Sequence, residues 1–279
     1  MDDQEYQRLV GLHRAEFAAA AKRQIGVLRI QLLITLLSII TVFIDYDPAV
    51  YITALLALVS AFAWAYFDWR YKQHRSIAEK GRRVILLARG LGVSLSGKEY
   101  RDLLASFNVS PEDGEKCEDS EYYENVGEPG YEKLAGMLQE SAFWSKHLLS
   151  ASASRYWSYF VVSVSLFIVL LLALIPFLGD KHLIIGAKIL TLMLTLLVSN
   201  DILGRALSYS NATQEVAKVY DSLEEVKSSE NPAHALLFIL GDYNSAVEGA
   251  PMFASGVYER NSKRLNELWR IEKKAELQD

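Results

Sequence analysis

The sequence predicts an all-α membrane protein, with four transmembrane helices in two hairpins and long cytoplasmic helical extensions. Three observations carry that expectation. Tyr156 to Gly179 runs 24 residues without a charged side chain, which at 1.5 Å per residue spans a hydrocarbon core of roughly 30 Å. Three comparable apolar runs occur elsewhere, and the four pair off across turns of about four residues. Lysine and arginine crowd the stretches outside those turns and almost avoid the turns themselves, the asymmetry that sets orientation.

Residues 1–26 form the first extension. Tyr6, Leu9, Val10, Leu12 and Phe17 recur among charges and alanines, the pattern of an amphipathic helix leading directly into the first span. That span starts at about Val27 and ends near Ile44, with Arg29 at its mouth, and Asp45-Tyr46-Asp47-Pro48 makes the turn. The second span runs from Pro48 to Phe67 and ends among Trp64, Tyr66, Phe67 and Trp69, aromatic residues that favour the bilayer interface. The first hairpin is therefore residues 27–67.

Residues 68–155 read as a cytoplasmic helical segment. A charged helix continues from Asp68 to about Leu91, where Gly90-Leu91-Gly92 stops it. A short helix follows over about Lys98 to Phe107. Residues 108–130 hold Pro, Gly and eight acids, among them Glu112, Asp113 and Glu115, which predicts a solvated, mobile loop rather than a metal site. From Tyr131 a helix bearing Leu134, Leu138, Phe143, Trp144 and Leu148 leads into the third span.

The second hairpin covers residues 156–200. Its turn is Gly179-Asp180-Lys181-His182, and its return runs from Leu183 to about Asn200, interrupted by Lys188. That lysine leaves a buried soluble helix as the other reading of the return segment. Residues 201–279 form the C-terminal cytoplasmic segment: a helix to about Lys227, a restart at Asn231-Pro232, and a last helix from about Ser255 to Glu276.

Orientation follows from Arg70, Lys72, Arg75, Lys80, Arg82, Arg83 and Arg89 after the second span. Lys22, Arg23 and Arg29 precede the first span, Lys146 and Arg155 the third, and Arg205 follows the fourth. Both termini and the central segment are expected in the cytoplasm. The two turns would then face outward.

Composition narrows the function. A formal charge of −5 argues against a nucleic-acid partner, which a basic surface would attract. Cys117 is the sole cysteine, so no intramolecular disulfide or cysteine-based zinc site forms. The five histidines lack paired ligand spacing, and no nucleophile motif appears. The expectation is no catalytic residues, no metal and no enzyme.

Two spans carry polar stripes. In the first, Gln31, Thr35, Ser38, Thr41 and Asp45 share one side of the helix, and in the fourth so do Lys188, Thr191, Thr195 and Ser199. Two readings stand: hydrogen bonding between packed helices, or a water-filled face.

Paired membrane hairpins with cytoplasmic helices before, between and after them resemble the SMODS-associating four-transmembrane effector family of bacterial CBASS defence systems. YQRLVGLHRAEFAAAAKR is similar to that family's N-terminal helix, and EYYENVGEPGYEKLAGMLQESAFWSKHLL to its central segment. GAPMFASGVYERNSKRLNELW resembles its C-terminal Pro-to-Tyr segment. Two departures stand out. Pro251 alone replaces a pair of prolines, and Gln139-Glu140 sits where Gln-Arg is expected.

The resemblance implies a pore-forming anti-phage effector. It would be a homo-oligomer in the lipid bilayer, activated by a cyclic di- or trinucleotide from a cognate nucleotidyltransferase, with no other cofactor. A pocket for that ligand needs aromatic faces and cations. The cytoplasmic residues nominated for it are Arg101, Tyr122, Tyr123, Trp144, Tyr258, Arg260, Arg264 and Trp269. A ligand-independent channel, transporter subunit or scaffold is the competing class.

Overall fold

The computed structural model describes residues 3–43, 46–119, 122–123, 127–174, 186, 201–226 and 232–276. Among these every regular element is a helix: α1 (Asp3–Phe43), α2 (Asp47–Leu91), α3 (Gly97–Ser106), α4 (Pro111–Glu115), α5 (Tyr131–Leu174), α6 (Ile202–Val226), α7 (Pro232–Gly249) and α8 (Val257–Glu276). The return span from Leu183 to Asn200, with Lys188, Thr191, Thr195 and Ser199, lies outside the described residues apart from Gly186. So do Asp45 and the turn at 179–182.

Local chemistry accounts for the helix ends. Gly92 takes φ +71° immediately after α2, the left-handed conformation that ends helices and suits a residue without Cβ. Ser96 caps α3, accepting from the Glu99 amide at 3.2 Å while Glu99 accepts from the Ser96 amide at 2.8 Å. The short helix therefore starts at Gly97, one residue before the expected Lys98. Ser110 caps α4 in the same way, accepting from the Asp113 amide at 3.2 Å, and Pro111 follows it. A helical turn thus stands inside the stretch expected to be loop. α2 begins at Asp47, so Pro48 occupies its first turn, where the missing N–H costs nothing.

The chain divides into two compact units. The first contains Met1–Ala21, Tyr71–Ser152 and Ser208–Asp279. Its interior is apolar: Leu9, Val10, Ile85, Leu86, Leu134, Leu138, Leu149, Leu223 and Leu236 are all buried. Two buried carboxylates there are paired, as low-dielectric surroundings favour. Glu16 meets His74 Nδ1 at 2.5 Å and accepts the backbone N–H groups of Asn108 and Val109. Arg82 donates to Glu79 at 2.8 Å and to Asn244 at 3.1 Å, and its guanidinium lies 4.9 Å from the Tyr243 ring centre.

The second unit contains Lys22–Arg70 and Ala153–Leu207, and there the logic is inverted. Among the described residues, all but six of the exposed large apolar side chains belong to it; the six exceptions are Val93, Tyr131, Leu237, Phe238, Tyr258 and Ile271. On α2 the exposed positions include Ile52, Leu55, Leu56, Leu58, Val59 and Phe62. α2 is one helix long and apolar enough to cross a membrane, with a window of mean hydropathy 1.9 of which 6% is buried. The chain passes between the units at 21/22, 70/71, 152/153 and 207/208.

Three members of the α1 polar stripe, Thr35, Ser38 and Thr41, have hydrogen-bond partners inside protein. Thr35 is buried and donates to Gln31 O at 3.0 Å, and Ser38 donates to Ile34 O at 2.9 Å. Thr41 pairs with Thr53 of α2 at 2.9 Å. Close helix approach accompanies this, since a Cβ on Gly26 would sit 2.9 Å from the Phe67 ring.

Candidate functional site

The eight nominated residues all belong to the first unit, and the structure gathers some of them into two groups. Tyr122 and Tyr123 are half-buried side by side, ring centres 4.9 Å apart. The Tyr122 hydroxyl meets His13 Nε2 at 3.1 Å, and Ser141 donates to the Tyr123 hydroxyl at 3.4 Å. Arg14 binds Asp119 at 2.9 Å, its guanidinium 5.7 Å from the Tyr122 ring. Burial pushes both phenols well above their usual range and lowers His13 to about 4. A neutral imidazole thus stands against un-ionised phenols. The group's work is to fasten Asp119 and Tyr122 onto α1 and Tyr123 onto α5.

The second group is more open. Trp144 of α5 lies 6.0 Å from Tyr258 of α8, the ring planes tilted by 34°. Tyr258 is 51% exposed, so one face of its ring is available for stacking. One turn along α5, His147 is half-buried with its pKa lowered by burial and then by Lys146, Arg264 adding to the effect and Glu272 opposing it. Lys146 Nζ stands 4.1 Å over the Tyr220 ring, and the Tyr220 hydroxyl donates to Glu272. Trp269 is buried beneath this patch, 5.1 Å from Phe143.

Two nominated residues stand elsewhere. Arg101 is exposed on α3, away from both groups' ring contacts. Arg260 is exposed on α8 about 200° round the helix from Tyr258, at 100° per residue. Sequence reasoning took Lys146 only as an orientation marker and gave His147 no part. His147, three residues after Trp144, falls on the same side of that helix and was the available signal; Lys146, two residues on, offered none.

Charge separates this patch from the deeper concavities. A groove of about 680 Å³ between α6 and α7 is lined by Glu215, Lys218 and Asp242 among small polar residues. Lys218 is engaged by Glu215 at 2.8 Å, so the groove retains negative charge and opposes a phosphate. A smaller concavity between α1 and α4 sets Glu115 and Glu118 against Arg8 and opposes it too. Among the described residues no cluster of His, Cys, Asp or Glu is arranged to hold a metal ion. Among the described residues of the first unit, Tyr258 beside Trp144 offers an exposed ring, with Arg264 exposed on the same helix and Lys146 and His147 following Trp144 on α5. No known family model, curated protein or solved structure matches the chain.

Proposed function

We propose that this chain is a multi-pass effector of the bacterial inner membrane. In this reading four spans form two hairpins, and the termini and central segment lie in the cytoplasm. A cyclic di- or trinucleotide, supplied by a nucleotidyltransferase, drives oligomers of the protein to assemble or open as a pore.

The observation that carries the reading is the inversion between units. Water drives apolar side chains inward in a soluble body, and a contiguous exposed apolar surface marks contact with another apolar phase. In the second unit α1, α2 and α5 all turn Leu, Ile, Val and Phe outward, which suits lipid. α1, α2, α5 and α6 each belong to both units and are helical at the point of passage, so a signal received in the cytoplasm has continuous helices to travel along.

The Tyr258 patch supplies the receiver: a base stacks on the exposed ring, while Arg264 and Lys146 meet phosphate. To shift the closed–open balance the nucleotide must bind the open arrangement more tightly, because equal affinity moves nothing. Expression with an activated cyclic-oligonucleotide synthase should depolarise the inner membrane, and expression alone should not. Equal depolarisation without the synthase would favour a ligand-independent channel.

A further inference from the structure

α1 carries a second stripe, on the side opposite its threonines. Lys22, Arg29, Leu33, Leu36 and Ile40 fall within about 60° of one another at 100° per residue. Lys22 and Arg29 are exposed, as are Leu33 (46%), Leu36 (55%) and Ile40 (48%). Arg29 and Ile40 are separated by about 16 Å of helix, roughly half a hydrocarbon core. Between Phe17 and Ile44 the chain has no acidic residue. Among the described residues neither cation has a carboxylate partner. Arg23, on the same turn as Lys22, is instead directed across the helix pair, its guanidinium 5.8 Å from the Phe67 ring.

We propose that this face of α1 is a binding site for one anionic phospholipid, and the proposal rests on the membrane reading above. Lys22 and Arg29 take the headgroup phosphate, Arg29 extending toward the interface as long cationic side chains do. The acyl chain lies along Leu33, Leu36 and Ile40. The phosphate of a zwitterionic lipid brings its own ammonium, which two unneutralised cations repel, so the class that fits carries net negative charge. The opposite side of α1 is already occupied, since Thr35 is buried and Thr41 meets Thr53.

The test uses the full chain in nanodiscs of phosphatidylcholine with a minor share of phosphatidylglycerol, the lipids retained by the protein being counted by native mass spectrometry. Phosphatidylglycerol should be enriched over its bulk fraction. Lys22→Gln and Arg29→Gln should each cut that enrichment roughly fivefold, and Arg29→Lys should keep most of it. Millimolar glycerol phosphate should not compete.

No enrichment with the native chain, or undiminished enrichment in the double glutamine variant, overturns the lipid site. Competition by glycerol phosphate would reassign the face to a soluble anion. Disulfide crosslinking through Leu36→Cys in a Cys117→Ser background would reassign it to a second copy. A chain that stays outside the nanodiscs refutes the membrane reading itself, which separates the two failures.

Discussion

Gly11 and Gly114 set the closest approach between α1 and the segment after α3. A Cβ on Gly11 would stand 2.4 Å from Gly114 O, a backbone atom that cannot rotate aside, and one on Gly114 would stand 2.8 Å from Leu12 Cδ2. Gly11→Ala should therefore lift α4 from α1 at a cost of about 1–3 kcal/mol, seen as faster amide exchange over 111–119. Unchanged exchange there would show that the two backbones are not in contact.

The neighbouring His13 adds a pH dependence. Burial holds its folded pKa at about 4, against an ordinary 6.5. Between those values the unfolded chain binds the extra proton, so stability is complete above about pH 6.5 and is lost as pH falls toward 4. The full difference is about 3 kcal/mol, and His13→Asn should flatten that part of the melting-temperature profile.

At the patch proposed to bind the nucleotide the sign is opposite. An anion beside Arg264 and Lys146 would favour imidazolium at His147, whose pKa burial lowers, so cyclic-nucleotide affinity should rise as pH falls into the acidic range. His147→Asn should remove the rise, and Tyr258→Ala should weaken binding by roughly 1–3 kcal/mol at any pH. At this scale the sequence disclosed residue types and no partners. Tyr122 and Tyr258 look alike in sequence, yet one fastens a segment and the other is half exposed.

Helix by helix, punctuation was the legible part. Gly90-Leu91-Gly92 ends α2 where expected, and Pro232 opens α7. α4 was hidden because acidic density outweighed Ser110-Pro111 as a start signal, although the pair carries a capping serine and an N1 proline. The arginines after the second span were legible as a group, but only for orientation. In the folded chain Arg75 donates to Val247 O and Glu248 O at 3.1 Å each and also to Ala250 O, while Arg83 binds Glu248. Those carbonyls close α7, where no further turn supplies donors and a cation opposes the helix dipole favourably. Arg75→Met should fray the last turn of α7 at a cost of about 1–2 kcal/mol. Hydrogen exchange should rise first over 246–250, with α6 little changed. Uniform acceleration across the unit would mean that Arg75 supports the whole core rather than one helix end.

For the whole molecule, hydropathy placed the apolar runs, and burial shows that the described ones are apolar outward, which composition alone does not distinguish from a buried core. Orientation rests on charge counts either side of the spans, and Cys117 offers a direct test of it. The thiol is half-buried just beyond α4, so it remains within reach of small reagents while its side of the membrane decides the outcome. If the central segment is cytoplasmic, a membrane-impermeant maleimide should leave Cys117 unlabelled on intact spheroplasts and modify it once the membrane is permeabilised. A cysteine placed at Asp180, in a Cys117→Ser background, should react before permeabilisation. The permeabilised sample supplies the control that separates sidedness from burial, since a buried thiol would stay unlabelled in both. Labelling of Cys117 on intact spheroplasts would reverse the topology and move the Tyr258 patch out of reach of any cytoplasmic nucleotide.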